Sequence, residues 1–489
     1  MQCRQRLERS SVAWLAGDRH GTWAALADAA ELAGEDPGLR AEVEAWRSVA
    51  FVRAERQDDA EESALRALSL AEEAASAGHR ADDPARRRAL AHARVSLASA
   101  RGLRGGSLDH VVEQAAELER LAAADVPGFE DVRSRALSNW LVLRQEVAPP
   151  EPQDCAAVVD AWTTVSRACT LARDLAVQGT VIRQAVDLGF RTGHWALGWD
   201  YARLPEAAQL PKDEQVALWS KAAMLAWERG WDDEARELGR QASRATTAVS
   251  IPWVRLYGYQ GAVVAAAAGG GSIPAALVSY AQCVTPQEHA TRPHRAMDTA
   301  LVALESGCSP EHIRGFFRQA LPDRADDARG SSGYGGVLAA VLEAALRVAE
   351  GRDPELVGVD VVPSEGWYAA TLGRLGLLRA RALGRQDRHT AALQELDAAR
   401  RLLRSWPGRV RDAVEQEIRT MARPPRATPA QAAVLALLVE GWPNRRIADQ
   451  LGLSDRTVAV HVAALLRSSG AASRTELVVH EMVRRFARQ

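Results

Sequence analysis

Lysine is almost absent from this 489-residue chain: Lys212 and Lys221 stand against 59 arginines. A phosphate-binding P-loop needs a lysine directly after a glycine, and neither lysine has one, so that motif is excluded. Cysteine is scarce too. The five (Cys3, Cys155, Cys169, Cys283 and Cys308) form no Cys-x-x-Cys, which leaves no disulfide framework or zinc ribbon and makes a reduced cytoplasm the default. Six Ile, six Tyr and six Phe are little material for long strands. No uncharged apolar run reaches the roughly 18–20 residues that cross a bilayer; the most apolar one, Gly261–Gly271, is short. Residues 1–10 are charged and lack the apolar core of a secretory signal.

Catalytic signatures are missing as well. There is no Gly-x-Gly-x-x-Gly after a strand, no His-Glu-x-x-His and no Gly-x-Ser-x-Gly. His289 and His294 are the closest histidine pair, and a spacing of five does not put both on one helical face. Neither an enzyme nor a cofactor or metal site is expected.

What is present is helix. Ala, Leu, Glu and Arg dominate, and apolar positions recur at helical spacing, as at Ala60, Ala64, Ala67, Leu68 and Leu70. A weak repeat runs through residues 10–405: a turn of type Gly-x-x-[Asp/Pro]-x-Ala, then small or apolar residues four and seven positions on. The cleanest copy is Gly230 to Ala235 followed by Gly239 and Ala242; others start at Gly106 and Gly271, looser ones at Gly17 and Gly193, and Glu55–Ala60 is a copy without its Gly. The glycine supplies the positive φ that ends one helix, the Asp or Pro starts the next, and the small residues let the pair approach closely. Gly193, Gly230, Gly271 and Gly307 are about 36–41 residues apart, near the 34 of a tetratricopeptide repeat. The pattern resembles a degenerate tetratricopeptide array; an irregular all-α domain is the alternative. Eleven tryptophans between Trp14 and Trp253 are expected to fill hairpin interfaces. The cluster Trp195, Trp199 and Tyr201 fits either that role or a ligand-binding face. Breaks are read at 148–152, at 331–336 and at Pro363, and an interdomain linker at Arg423-Pro424-Pro425-Arg426.

The net charge of −2 conceals a division. From Arg426 to Gln489 there are nine arginines against five acids, a net of +4, so the remaining 52 basic and 58 acidic residues carry −6. The basic segment punctuates into four helices. Thr428-Pro429-Ala430-Gln431 is a capping box, and Gly441 ends its helix. Asn444 is expected to cap a short helix over Arg445–Leu451. Gly452-Leu453-Ser454 is a tight turn into a helix ending near Ser469, and Ser473-Arg474-Thr475-Glu476 opens a last helix to about Phe486. A short helix, a glycine turn and a longer helix make a helix-turn-helix.

Thr428-Pro429, Val434-Leu435, Leu438, Glu440-Gly441, Asn444, Ile447-Ala448, Leu451 to Ser454, Thr457-Val458, His461, Leu465, Gly470 and Ser473 to Leu477 resemble, in order and without gaps, the LuxR-type DNA-binding domain of bacterial transcription regulators. The whole is therefore read as all-α: a tetratricopeptide-like α-solenoid (residues 1–422) followed by a linker and a four-helix LuxR-type domain (423–489). Val434, Leu435, Leu438, Ile447, Leu451, Leu453, Val458, Val462, Leu465 and Leu466 are its expected core. Arg456, Ala459, Val460, Ala463 and Arg467 fall on the opposite face of the third helix, which the resemblance sends into the major groove. Asn444, Arg445, Arg456 and Thr457 are placed for phosphate contact; His461 fits either a backbone contact or a packed surface site.

Departures from the family matter. Ala430 and Gln431 stand where Arg-Glu is usual, Ala433 replaces a usual Glu, Ala459 a common Lys, Ala463 a frequent polar residue, and Ser468-Ser469 a usual Lys-Leu. The groove face has lost most hydrogen-bonding readers, leaving apolar contact with thymine methyls. Weak affinity of the isolated domain, steep salt dependence and reliance on dimerisation are expected. The combination resembles the C-terminal part of the large ATP-binding LuxR regulators without their ATPase, either as a short relative or as a chain whose start is truncated; Met1-Gln2-Cys3 ahead of a first hairpin favours the short form. The resemblance implies a cytoplasmic activator, double-stranded DNA with a two-fold site, a homodimer on DNA, and a protein, peptide or small-molecule effector on the array. The alternative is a scaffold protein whose helix-turn-helix no longer reads DNA.

Overall fold

A computed structural model describes residues 2–76, 83–105, 107–123, 128–147, 155–172, 174–249, 251–284, 293–320, 334–352, 369–386, 388–421, 427–469, 471 and 473–486. Those residues hold 24 α-helices and no strand. Residues 2–320 form helical hairpins: α1 (Gln2–Leu15) with α2 (Arg19–Ala33), α3 (Pro37–Arg53) with α4 (Gln57–Ser76), α5 (Pro84–Arg104) with α6 (Leu108–Ala123), and α7 (Glu130–Val142) with α8 (Cys155–Leu171). The series continues with α9 (Leu175–Thr192) and α10 (Trp195–Ala202), α11 (Lys212–Arg229) and α12 (Asp232–Ala245), α13 (Pro252–Ala265) and α14 (Ile273–Ala281), and α15 (Pro293–Glu305) and α16 (Pro310–Ala320). Then come α17 (Tyr334–Ala349), α18 (Ala369–Arg385), α19 (His389–Leu402), α20 (Arg409–Met421), α21 (Pro429–Val439), α22 (Asn444–Leu451), α23 (Asp455–Ser469) and α24 (Arg474–Phe486). The chain divides into two compact units, residues 1–342 with 360–369, and residues 343–359 with 370–489.

In the first unit each odd-numbered helix packs on the next odd one, α3 on α5, α9 on α11 and α11 on α13, while the even helices pair with them from the other side. That regular alternation is a tetratricopeptide-like array, not an irregular all-α packing. The cleanest sequence copy shows why it forms. Gly230 has φ +88, and the N–H groups of Gly230 and Trp231 close α11 onto Trp227 and Ala226. Beyond the turn, Ala235, Gly239 and Ala242 are buried. A Cβ on Gly239 would lie 2.4 Å from the carbonyl oxygen of Gly261, so α12 and α13 touch backbone to backbone.

The copy without glycine keeps the same turn. Glu55 is the one non-glycine described residue with positive φ, at +58, a region that disfavours any side chain. Two expected turns move slightly. The left-handed residue before α14 is Gly269, φ +87, rather than Gly271, and the turn after α5 uses Gly105, with Gly106 outside the described residues. Also outside them are His289, the breaks at 148–152, 331–333 and Pro363, and the linker 423–426. Residues 334–336, read as part of a break, begin α17.

Tryptophans fill interfaces. Trp14 and Trp227 are buried; Trp195 and Trp199 meet Trp231 edge-on at 5.4 and 5.2 Å and, with Tyr201, pack against the Ile182–Leu225 cluster. The array also buries charge. Asp187 on α9 accepts from Arg191 Nε at 2.8 Å and pairs with Lys221 Nζ of α11 at 2.6 Å. Burial alone would push this carboxyl up; Arg191 and Lys221 more than reverse that and hold it well below the usual carboxylate range. A polar ladder crosses three odd helices, from Ser220 Oγ to Gln260 Oε1 (3.3 Å) and from Gln260 Nε2 to Thr299 Oγ1 (3.1 Å).

Two measurements test this account. Glu55→Gly raises stability by about 1 kcal/mol through relief of the left-handed backbone, and Gly230→Ala lowers it by about as much, read as opposite shifts of the urea midpoint. Because the folded pKa of Asp187 is depressed, its contribution is present above the unfolded value near 3.9 and lost as pH falls through the folded one. Asp187→Asn therefore costs about 3 kcal/mol at pH 7, and the urea midpoints of variant and parent converge in acid.

Candidate nucleic-acid interface

The C-terminal helices are built from their caps. Gln431 N–H donates to Thr428 Oγ1 at 3.3 Å while Thr428 N–H donates to Gln431 Oε1 at 2.9 Å, and Pro429 occupies the first turn, so the expected capping box exists. Gly452, in the left-handed region at φ +65, turns the chain from α22 to α23, and its N–H reaches Ala448 O. Ser454 caps α23, accepting from Thr457 N–H at 3.0 Å, and its hydroxyl lies 2.7 Å from Thr457 Oγ1. Ser473 accepts from Glu476 N–H at 3.1 Å at the start of α24.

One cap differs from expectation. Pro443, not Asn444, precedes the first turn of α22, and no side chain caps it; Asn444 is the first helical residue. Its side chain is used elsewhere: Arg474 Nη1 donates to Asn444 Oδ1 at 2.7 Å, and Arg474 Nη2 donates to the carbonyl of Trp442. Arginine only donates, so this bond assigns the amide oxygen inward and leaves Asn444 Nδ2 as the group able to donate outward. The sequence reading places Arg474 in a capping box and among the LuxR-type motif residues but overlooks its tether. It also overlooked Trp442, whose ring lies 3.9 Å beneath the Arg446 guanidinium. An aromatic four positions before an arginine was the available signal.

Val434, Leu435, Leu438, Ile447, Val458, Val462 and Leu465 are buried together with Ala448, Ala471 and Leu477, and Leu451, Leu453 and Leu466 pack on them. All ten expected core residues are in this cluster. With Val458, Val462 and Leu465 facing inward, the other side of α23 is open. Arg456, Ala459, Val460 and Arg467 are exposed, Val460 by 59%, while Thr457, His461 and Ala463 are half-buried. Arg445 and Arg446 are exposed on the first turn of α22, and Asn444 beside them is half-buried. Among the described residues Arg445, Arg456 and Arg467 form no ion pair. Exposed guanidinium groups on an outward helix, mounted on a capped and packed support, are what an anionic rod can meet.

Residues 428–481 match the model of the family described as GerE, bacterial regulatory proteins, luxR family. The chain thus ends in a LuxR-type helix-turn-helix domain, preceded by a tetratricopeptide-like array; that domain supports a DNA-binding regulator. No curated protein matches the chain. Solved structures similar to it include a human IFIT1 dimer with m7Gppp-AAAA, 13% identical over 95% of this chain and 89% of that one, with a TM-score of 0.34. Another is a human IFIT1 dimer with PPP-AAAA, 13% identical over 98% and 89%, with a TM-score of 0.33.

The tether is testable. Arg474→Ala removes a charged donor from Asn444 and Trp442 and costs about 1–3 kcal/mol. The expected readout is faster amide exchange across residues 442–451, with the exchange of α9 and α11 unchanged.

Proposed function

We propose that the chain is a cytoplasmic transcriptional activator that binds double-stranded DNA as a homodimer, through α23 in the major groove, under the control of its helical array. The observation that supports this reading is the outward face of α23. Arg456 and Arg467 stand exposed and unpaired at its two ends, Arg445 stands beside it, and the inward stripe is fully engaged in the core. In this reading Asn444, Arg445, Arg456 and Thr457 hold phosphates and set the register. Ala459, Val460 and Ala463 meet thymine methyls, and His461 lies against the sugar-phosphate backbone. With so few hydrogen-bonding readers, two half-sites on a two-fold operator supply the affinity that one domain lacks. The array takes a protein, peptide or small-molecule effector that governs how the domain is presented.

The small side chains at 459 and 463 also favour a second reading, a scaffold whose helix-turn-helix has stopped reading sequence. The two separate in one experiment. Promoter fragments recovered by genome-wide occupancy are titrated with the full chain over a salt series. Arg456→Ala and Arg467→Ala are expected to weaken binding and to reduce the log–log salt slope by about one each. Unchanged slopes with promoter output intact would replace the regulator reading with the scaffold.

A further inference from the structure

Within the first unit the odd-numbered helices line a cavity of about 150 Å³. Its wall carries Arg53 from α3, Arg135 from α7 and Arg183 from α9, with Ser48, Asp174 and Glu214 among them. The acids are engaged. Asp174 Oδ1 accepts from Ala176 N–H at 2.7 Å, capping α9. Glu214 Oε2 faces Arg183 Nε at 3.7 Å, and Arg183 Nη1 donates to Tyr257 OH at 3.2 Å. Glu55, on the same wall, has an interaction of its own.

Two of the arginines are different. Arg53 makes no hydrogen bond or ion pair with any described residue. Arg135 lies 4.4 Å over the Trp46 ring, and its Nη1 donates to His92 Nε2 at 2.8 Å. Burial and the neighbouring Arg135 push the His92 ring down to about 3, so this histidine is neutral and does not offset the arginine. Burial weighs on the guanidinium groups of both Arg53 and Arg135 and pushes both down; the charge of Asp174 offsets part of this at each, helped at Arg53 by Glu214 and Asp213, while the Arg53 charge weighs on Arg135. Guanidinium groups keep their protons in proteins, so two half-buried cations line the recess with Asp174 near both but no carboxylate within ion-pair distance of either. Beside them Ser48, 1% exposed, has a hydroxyl with no hydrogen-bond partner among the described residues. Buried polar groups and cations without partners are costly, and a ligand that supplies the missing acceptors offsets that cost.

We propose that this cavity is a binding site for a small organic oxyanion, its carboxylate or phosphate held by Arg53 and Arg135 and accepting from the Ser48 hydroxyl. A cavity of this size holds a body about as large as benzene, which excludes a nucleic-acid strand or a folded partner from it. The proposal names the ligand class for the array's effector role and rests on that reading only for its regulatory consequence. Binding itself stands apart from DNA.

Calorimetric titration of the full chain with phenyl phosphate, benzoate and benzyl alcohol tests it. One site per chain is expected for at least one anion, phenyl phosphate alone marking a phosphate site and benzoate alone a carboxylate site, with no saturable heat from the alcohol. Arg53→Gln and Arg135→Gln weaken the anion by about tenfold or more, Ser48→Ala by roughly threefold to tenfold, and Arg318→Gln, on the exposed face of α16, leaves it unchanged. Arg53→Gln also raises the thermal midpoint of the unliganded chain, because it removes an unpaired charge; a merely structural arginine would lower it. Absence of saturable binding by both anions, equal binding of the alcohol, or full anion affinity in Arg53→Gln would each overturn the proposal. Salt-dependent DNA binding that persists in such a case would leave the regulator reading standing, and anion binding without DNA binding would overturn that reading alone.

Discussion

Backbone-to-backbone approach between helices is the constraint on which the array depends. At the α12–α13 crossing, any side chain on Gly239 would occupy the space of the Gly261 carbonyl, and the Cβ of Ala242 fills the space above Gly261. The same holds at Gly189 and Gly198, where a Cβ on either would come within about 3 Å of the other's backbone. α9 and α10 are joined through Gly193, left-handed at φ +78, whereas no described residue between α12 and α13 has a positive φ, so close approach there rests on the small residues alone. Where the glycine is gone, at Glu55, the turn survives because the packing on either side over-determines it.

Close packing of one layer has a consequence for the other chemistry in the molecule. Stacked odd helices bring side chains from distant parts of the sequence to one wall, and some of those side chains are charged. Asp187, Arg191 and Lys221 resolve their burial by meeting one another. Arg53 and Arg135 have Asp174 near them but no carboxylate within ion-pair distance, and that difference sets the recess apart from the Asp187 network.

The C-terminal domain works by the opposite economy. It is small, its core is about ten apolar residues, and much of its definition comes from caps and tethers at helix ends. Those local devices are sequence-adjacent, so they were legible. The capping box at Thr428, the turn at Gly452 and the cap at Ser454 stand where the residue order puts them. The tether from Arg474 to Asn444 and Trp442 spans about thirty residues and gave no local signal. It also changed the part assigned to Asn444, from a cap to a side chain whose oxygen is held from within.

By itself the sequence determined the helical hairpins, the left-handed turns and the inward stripe of α23, because each rests on spacing and backbone preference within a few residues. It located the charge division between the acidic array and the basic end. It did not separate the Trp195–Trp199–Tyr201 cluster from a ligand face; only the packing against Trp231 and the α9–α11 core did. Nor did it single out Arg53 and Arg135 among 59 arginines. Arg53 and Arg135 reach one recess from α3 and α7, together with Asp174 and Ser48, and only the tertiary structure decided that.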